Sequence, residues 1–403
     1  MGELYNRLLD MNNLYNAFMN CKQGVDWKES VQRYEANVLH NISTLKQQLE
    51  NKTYRQKVFF EFDISERGKK RHIKSMHISD RVLQRALCDY VLNPELFKYL
   101  IYDNGASVKG KGIEFSRKRL KAHLQRYFRK YGNKGYVLKI DFSKYFDNIP
   151  HDILMQKIAE KIKDEDVLSL TSYLISTFEG DKGVGIGSQL SQTAGIFYPT
   201  ELDNYCKIVK GCKYYGRYMD DTYIIHPSKE YLKELYKEYK KMAEKLGIII
   251  NQKKTQIIRL DKGFIFLQMR YVLSDTGKVA VIPVNKSIVR ERRKLKKLQK
   301  LKFKKLITKE QIQDQYKSWR GNLNKYNAYK SVQTMDALYN YLYGGIENDR
   351  KTETVKRGRT RAHRKCYSGI YFAARCAYER HRRLENRKNL RSKIEGRAGS
   401  VQL

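Results

Sequence analysis

The sequence CKYYGRYMDDTYIIH, residues 212–226, predicts two β-strands joined by a tight turn at Met219-Asp220-Asp221. The adjacent carboxylates of Asp220 and Asp221 repel each other in such a turn, and a divalent cation relieves the repulsion. Taken alone, an Asp pair of this kind is more often a solvated turn. A metal site at this turn therefore needs support from other residues of the chain.

A second acidic cluster lies upstream. Residues 135–141, GYVLKID, predict a strand that runs into DFSKYFD, residues 141–147, so Asp141 stands at a strand end and Asp147 follows it. Alone, these residues are as well explained by a strand-to-helix turn with Asp as the cap. Two carboxylate sites at strand ends together indicate a two-metal centre for phosphoryl transfer.

The charge of the chain indicates the substrate. Its 403 residues include 81 Lys and Arg against 43 Asp and Glu, a formal net charge of +38. Such an excess favours a polyanionic partner, with nucleic acid first and an anionic membrane second. The length predicts several lobes around more than one core.

The remaining composition favours a cytoplasmic protein without a membrane segment. No apolar run approaches the ~20 residues of a membrane helix, and residues 1–13 lack the apolar core of a signal peptide. The six cysteines include no CxxC pair, as expected for reduced thiols.

Local patterns predict the other elements. Apolar residues three and four positions apart predict helices over most of residues 1–60, and FFEFDI, residues 59–64, predicts a strand. Pro94 predicts a break in the helix that begins near Ser79. IIINQ, residues 248–252, predicts another strand.

With these motifs the chain resembles the reverse transcriptases, in particular bacterial ones. The resemblance covers residues ~60–345 in the family's motif order, which is more specific than any single motif. DFSKYFD resembles motif A, and YMDD, residues 218–221, resembles motif C. The other matching segments, in chain order, are residues 69–87 and 104–116 (fingers), 185–192 (motif B), 247–255 (motif D), 264–271 (primer grip) and 318–329 (thumb).

The resemblance implies an α+β fold of the right-hand polymerase type, with fingers, a palm built on an antiparallel sheet, a helical thumb and a basic C-terminal extension. The expected boundaries are residues 1–135 for an N-terminal helical region and fingers, 136–286 for the palm with interleaved fingers elements, 287–347 for the thumb and 348–403 for the basic tail.

The same resemblance assigns the catalytic roles. Asp141, Asp220 and Asp221, with the backbone carbonyl of Phe142, would hold two Mg²⁺ ions, for which Mn²⁺ is a substitute. Lys254 in motif D matches a lysine that protonates the leaving pyrophosphate. Intact carboxylates at all three positions favour an active enzyme.

The nucleotide site is assigned in the same way. Phe146, five positions after Asp141, matches the steric gate that excludes a 2′-hydroxyl, so deoxynucleotides are the expected substrates. The other residues expected to contact the deoxynucleotide are Lys69, Lys70 and Arg71 in the fingers and Ile186, Gly187 and Gln192 in motif B.

Two positions depart from the family pattern. In motif B, Ile186 replaces an amide side chain that would lie next to the incoming nucleotide, which predicts error-prone synthesis. The resulting form of the motif, Ile-Gly followed by Ser-Gln, is similar to that of diversity-generating and some defence-associated enzymes. In the primer grip, Phe266-Leu267-Gln268, Gln268 replaces a glycine that relatives often have.

The thumb and tail supply further candidate contacts to nucleic acid. Residues 287–306 predict a basic helix along the duplex. The residues expected to contact nucleic acid are Phe266, Leu267, Gln268, Arg290, Arg293, Lys297, Trp319, Arg320, Tyr326 and Tyr329, with a buried anchor an equal alternative for Trp319.

The basic tail favours RNA binding over zinc. His363, Cys366, Cys376 and His381 supply four zinc-type ligands, but their spacing fits no known signature. Residues 394–403, IEGRAGSVQL, resemble a protease-site or vector remnant.

The leading hypothesis is an RNA-directed DNA polymerase of a diversity-generating retroelement. Its partners would be an RNA template, most simply a structured noncoding RNA, the cDNA product, deoxynucleotides and, as an open question, an accessory protein. The alternatives are an antiphage enzyme using a dedicated noncoding RNA, a template-independent nucleotidyltransferase, and a catalytically dead nucleic-acid-binding scaffold. The sequence leaves the oligomeric state open.

Overall fold

The computed structural model describes residues 2–66 and 68–344. The basic tail from residue 348, with His363, Cys366, Cys376 and His381, lies outside the described residues. The expected α+β right-hand polymerase fold is confirmed, with helices packed around antiparallel sheets. Within the described ranges, no helix combines the length and the apolar character needed to cross a bilayer.

Amphipathic helices open the chain. They are α1 (Glu3–Leu9), α2 (Met11–Lys22), α3 (Glu29–Ala36) and α4 (Val38–Glu50). Their apolar faces meet, with Leu8, Leu14 and Ile42 fully buried. An antiparallel hairpin follows, formed by β1 (Phe60–Glu66) and β2 (Lys69–Ser75), as the apolar pattern of residues 59–64 predicts.

The backbone does not break at Pro94, but the regular α-helix is interrupted just before it. The backbone runs from α5 (Ile78–Ala86) through a wide, π-type segment (Leu87–Leu92) into α6 (Asn93–Leu96), and a 3₁₀ turn (Phe97–Tyr99) ends it. In the π-type segment the amide of Asn93 bonds the carbonyl of Cys88, five positions back. This widened turn accommodates a proline ring that would disrupt a regular helix.

The central sheet has four antiparallel strands in the order β4-β5-β3-β6. They are β3 (Tyr136–Ile140), β4 (Tyr215–Tyr218), β5 (Asp221–His226) and β6 (Gln256–Arg259). The predicted strand at 248–252 is reduced to one bridge between Ile250 and Phe142, because Phe142 lies beyond the end of β3.

Successive strand residues point to opposite faces of this sheet, and both faces are buried. Leu138 and Ile224 join a core shared with the N-terminal helices, whereas Val137 and Ile225 join a second core. The helices that follow β3 and β5 are α8 (His151–Lys161), α9 (Glu165–Ser176), α10 (Gln189–Phe197), α11 (Thr200–Asn204) and α12 (Lys229–Lys245).

The second core links a long helix, α7 (Ile113–Tyr131), to the C-terminal part of the described chain. That part is a three-stranded sheet, β7 (Phe264–Phe266), β8 (Met269–Leu273) and β9 (Val279–Pro283), followed by α13 (Asn285–Phe303), α14 (Lys309–Leu323) and α15 (Tyr329–Tyr343). Within the helices, the rings of Tyr316 and Tyr339 stack at 4.5 Å. A capping box of Thr308 and Gln311 fixes the start of α14.

Candidate active site

The acidic turn is the two-residue connection of β4 to β5. Tyr218 pairs with Asp221, which leaves Met219 and Asp220 at the tip. Met219 adopts a left-handed backbone with φ of +54°, a conformation that costs a non-glycine residue about 1–2 kcal/mol. Arg217 holds this turn, because its Nη1 donates to the carbonyl of Met219 at 3.1 Å.

Asp141 lies beside this turn because β3 and β5 are neighbours. Ile140, the last residue of β3, pairs with Thr222, so Asp141 continues towards the start of β5, where Asp221 stands. Burial and the nearby carboxylates of Asp221 and Asp141 raise the pKa of Asp220 to about 6. Burial also raises the pKa of Asp221. The structure thus brings the three predicted carboxylates into one electrostatic cluster.

Lys254 is a cation that contacts this cluster directly. Its Nζ donates to both oxygens of Asp141, at 2.7 and 2.9 Å. Burial alone would lower the pKa of Lys254, but the hydrogen bonds to Asp141 and the charges of Asp220 and Asp221 raise it. Lys254 therefore stays protonated next to the acids.

The cluster has the chemistry of a divalent-cation site. Within residues 2–66 and 68–344, no three His, Cys, Asp or Glu side chains already converge in a metal-binding arrangement. The oxygen donors nevertheless suit a hard divalent cation, because such an ion would offset the repulsion between the carboxylates. In the structure, the ammonium of Lys254 offsets part of the charge of Asp141. The β-bridge between Phe142 and Ile250 is formed by hydrogen bonds of the Asp141 carbonyl and the Ser143 amide. The Phe142 carbonyl takes no part in that pairing.

Phe146 lies half-buried in the 3₁₀ turn Tyr145–Asn148 that follows Asp141. Its ring packs against Tyr145, and a Cβ at Gly195 of α10 would lie 2.8 Å from Phe146 Cε1. Gly195 therefore leaves room for this ring, and a side chain at that position would displace it.

Motif B is a loop that leads into α10. Ser188 caps this helix by accepting from the amide of Ser191, and Gln192 lies half-buried in the first turn. Ile186 is half-buried just before the cap. Gly187 has φ of +126°, and a Cβ there would meet the carbonyl oxygen of Lys74 in β2 at 3.1 Å.

Lys69, Lys70 and Arg71 all lie on β2, where neighbouring residues face opposite sides. The side chains of Lys70 and Arg71 therefore leave the strand on opposite faces. Arg71 shares a face with Ile73, whose Cγ2 lies 3.5 Å from the position of a Cβ at Gly187. Lys74, which shares the face of Lys70, has its Cδ 3.5 Å from the position of a Cβ at Gly185, so both faces of β2 border motif B.

The primer-grip residues differ in exposure. Phe266 is 1% exposed and packs edge-on against Tyr223, so its side chain cannot make the expected contact with nucleic acid. Leu267 and Gln268 form the turn between β7 and β8 and are accessible.

The thumb contains exposed cations and internal contacts. Arg290, Arg293 and Lys297 lie on one side of α13, and the last two are exposed. Tyr329 is 73% exposed. Arg320 instead donates to Asp336 at 2.9 Å, and Trp319 packs against Tyr316.

Tyr326, another residue expected to contact nucleic acid, makes internal hydrogen bonds. Its hydroxyl donates to Glu114 at 2.9 Å and accepts from Arg117 at 2.9 Å. Because protein groups already bind this hydroxyl, Tyr326 forms an internal contact between α7 and the helical C-terminal part.

A buried polar cluster behind β5 escaped sequence analysis. Asp103 accepts from Arg119 Nε at 2.6 Å and from Lys207 Nζ at 2.9 Å. His123, 2% exposed, lies beside it, with its Nδ1 at 3.0 Å from the Tyr223 hydroxyl. Burial lowers the pKa of His123 to about 4, although Asp103 opposes this effect. His123 is therefore neutral at physiological pH.

Acidic residues at neighbouring strand ends, in a central antiparallel sheet enclosed by helices, are typical of the palm of template-directed nucleic-acid polymerases. Residues 50–271 match the family model described as reverse transcriptase (RNA-dependent DNA polymerase). This match covers more than half of the chain, which therefore belongs to the reverse transcriptase family.

Solved structures with a similar fold include telomerases. The telomerase from Candida albicans, in complex with a TWJ fragment of telomeric RNA, is 13% identical, with a TM-score of 0.50 over 72% of this chain. An apo telomerase from Candida tropicalis is 15% identical, with a TM-score of 0.43 over 72% of this chain and 60% of its own. The chain spans 54% of the Candida albicans telomerase. No curated protein sequence matches the chain.

Proposed function

We propose that this chain copies an RNA template into DNA, with Asp141, Asp220 and Asp221 holding two Mg²⁺ ions, or Mn²⁺ as a substitute. The observation that carries the proposal is the position of these carboxylates at neighbouring ends of β3 and β5, near enough that the charges of Asp221 and Asp141 raise the pKa of Asp220. When bound, such ions activate the primer 3′-hydroxyl and neutralise the charge of the triphosphate.

The lobes follow from this assignment. Residues 1–135 would form the N-terminal region and fingers, 136–286 the palm and 287–347 the thumb. The exposed cations Arg293 and Lys297 on α13 would then lie along the phosphates of the template–product duplex.

Lys254 would act as the proton donor. Its raised pKa keeps the ammonium charged at neutral pH, and its contact with Asp141 places it beside the acidic cluster. A protonated lysine there can give its proton to the leaving pyrophosphate and stabilise the charge that develops on it.

Phe146 would exclude ribonucleotides. Its ring is held in place by Tyr145 and by the space left at Gly195, so it presents a fixed wall near Asp141. A Phe146→Val variant should incorporate ribonucleotides far better than the wild type, whereas an unchanged preference for deoxynucleotides would remove Phe146 from this role.

The biological role that fits best is the error-prone enzyme of a diversity-generating retroelement, acting on a structured noncoding RNA. Ile186 supports this proposal, because an apolar side chain before α10 cannot hydrogen-bond the incoming nucleotide as an amide would. Sequencing the RNA that copurifies with the protein would identify the template.

The central test replaces Asp220 and Asp221 together by Asn. The matched control is Asp275→Asn, which removes an exposed carboxylate from the turn between β8 and β9. We expect the double variant to bind RNA and to fold normally but to extend no primer on an RNA template in Mg²⁺, while the control remains active. Extension by the double variant at the control rate would refute the proposed site.

A further inference from the structure

The turn between β7 and β8 has an unfavourable backbone. Leu267 and Gln268 have φ values of +46° and +66°, and Phe266 pairs with Met269 on either side. Two-residue turns with positive φ at both positions favour glycine or asparagine, because other side chains crowd the backbone there. A turn of this kind needs contacts from elsewhere to hold its shape.

Arg117 on α7 supplies such a contact. Its Nε donates to the carbonyl oxygen of Leu267 at 3.2 Å, and its Nη2 donates to the same oxygen. The guanidinium is half-buried, so water competes little for these bonds. Two donors converging on one oxygen fix the orientation of that peptide group.

The same guanidinium reaches the linker between α14 and α15. Its Nη1 donates to the Tyr326 hydroxyl at 2.9 Å, and its carbon lies 5.4 Å from the centre of the Tyr326 ring. The Tyr326 hydroxyl in turn donates to Glu114, one turn earlier on α7, at 2.9 Å. One arginine therefore joins the β7–β8 turn to this linker.

The linker is also docked on the edge of the small sheet. The amide of Asn327 donates to the Val281 carbonyl at 3.0 Å, and the Val281 amide donates to Asn327 Oδ1 at 2.9 Å. Because β9 is an edge strand, these bonds continue its ladder. The linker cannot move without disturbing either β9 or Arg117.

We propose that Arg117 is a positioning residue that couples the α14–α15 linker to the Leu267–Gln268 turn, so that thumb orientation and placement of the primer end are set together. This rests on the proposed function, which assigns the turn to the primer end. Arg117 acts through Leu267 and Tyr326 rather than by touching nucleic acid.

The experiment compares full-length variants. Arg117→Met removes the donors, and Tyr326→Phe is the milder change, since it removes only the bridging hydroxyl. Arg129→Met is the matched control, an exposed arginine on the same helix. Gln268→Gly is combined with Arg117→Met, because glycine adopts the turn conformation without a steric penalty and should replace the support from Arg117.

Two measurements are made on each variant. Hydrogen exchange of the free protein measures the exchange rates of the backbone amides in residues 264–271 and 324–328. Single-turnover extension of a DNA primer on an RNA template reports the rate at saturation, and titration of the same duplex reports its dissociation constant.

We expect Arg117→Met to increase exchange in both segments and to slow extension by about tenfold or more, since small misplacements are costly in catalysis. Tyr326→Phe should change the amide exchange and the extension rate in the same directions, but by smaller amounts. Duplex affinity should stay close to wild type. Gln268→Gly in the double variant should restore the protection of residues 264–271, which is measured without substrate, and Arg129→Met should match the wild type.

Three results would overturn the coupling: faster exchange in one segment only, an equal loss of affinity and rate, or no recovery of protection in residues 264–271 when Gln268→Gly is added. A wild-type chain that extends no primer would refute the proposed function instead. Hydrogen exchange would still decide whether Arg117 joins the two segments, because it is measured without substrate.

Discussion

The guanidinium of Arg217 forks onto the carboxylate of Asp203 with both side chains fully buried: Nε lies 2.8 Å from Oδ1, and Nη2 lies 2.7 Å from Oδ2. Arg217 also donates to the carbonyls of Met219 and Ile196. The strand that leads to Asp220 is thereby tied to the helices α10 and α11. The acidic turn is thereby held from inside the protein.

We predict that Asp203→Asn lowers the free energy of unfolding by about 3–5 kcal/mol, because it leaves the buried charge of Arg217 without its counterion. Urea denaturation measures the change. Asp261→Asn, which breaks the exposed pair of Asp261 with Arg259, is the control and should leave the midpoint unchanged. Equal midpoints for both variants would show that the buried pair contributes nothing.

A second prediction concerns acid stability and His123. Burial lowers the pKa of this residue from 6.5 to about 4, so between these values the unfolded chain binds a proton that the folded protein does not. Stability due to this group is therefore complete above pH 6.5 and falls as the pH decreases towards 4. His123→Gln, which does not titrate, should lose less stability than the wild type between pH 7 and 5 in urea denaturation. Parallel pH dependences would contradict the buried neutral state of His123.

Much of the central sheet could be predicted from the sequence. The sequence predicted β3 and, from its tight turn, the β4–β5 hairpin, and the structure confirms both. Once these strands are neighbours, Asp141 must lie near Asp220, so the acidic cluster follows from local patterns and strand pairing.

The supporting contacts could not be predicted, because they join distant parts of the chain. Arg117 lies 150 positions from Leu267 and 209 from Tyr326. An arginine in a basic helix gives no sign that its partners are a backbone carbonyl and a tyrosine hydroxyl. Arg217 did offer a signal, a charge in an otherwise apolar strand, but nothing in the sequence identifies Asp203 as its partner.

A third prediction tests the exposed face of α13. Replacing Arg293 and Lys297 by Gln should weaken RNA binding and flatten the slope of log affinity against log salt by about 2 units, since each lost cation releases roughly one counterion fewer. Fluorescence anisotropy at several salt concentrations measures the slope. Lys233 and Lys237, exposed with the same spacing on α12, provide the control pair. Identical slopes for the two double variants would show that α13 does not lie on the duplex.

The last prediction concerns Ile186 and the accuracy of synthesis. Ile186 precedes Gly187, whose position is pressed against the backbone of β2, so the loop that carries it is closely confined. An isoleucine offers a nucleotide only shape and apolar contact, which discriminates by about 1–3 kcal/mol at most. Ile186→Gln should therefore lower misincorporation by about tenfold, because the amide can hydrogen-bond a correctly paired nucleotide and loses that bond with a wrong one. The measurement is deep sequencing of cDNA made from one defined template. Ile208→Gln, the same change at an exposed position outside the matched motifs, should leave the error spectrum as in the wild type. Equal error spectra for Ile186→Gln and the wild type at comparable extension rates would mean that Ile186 only packs in this loop and that accuracy is set elsewhere in the site.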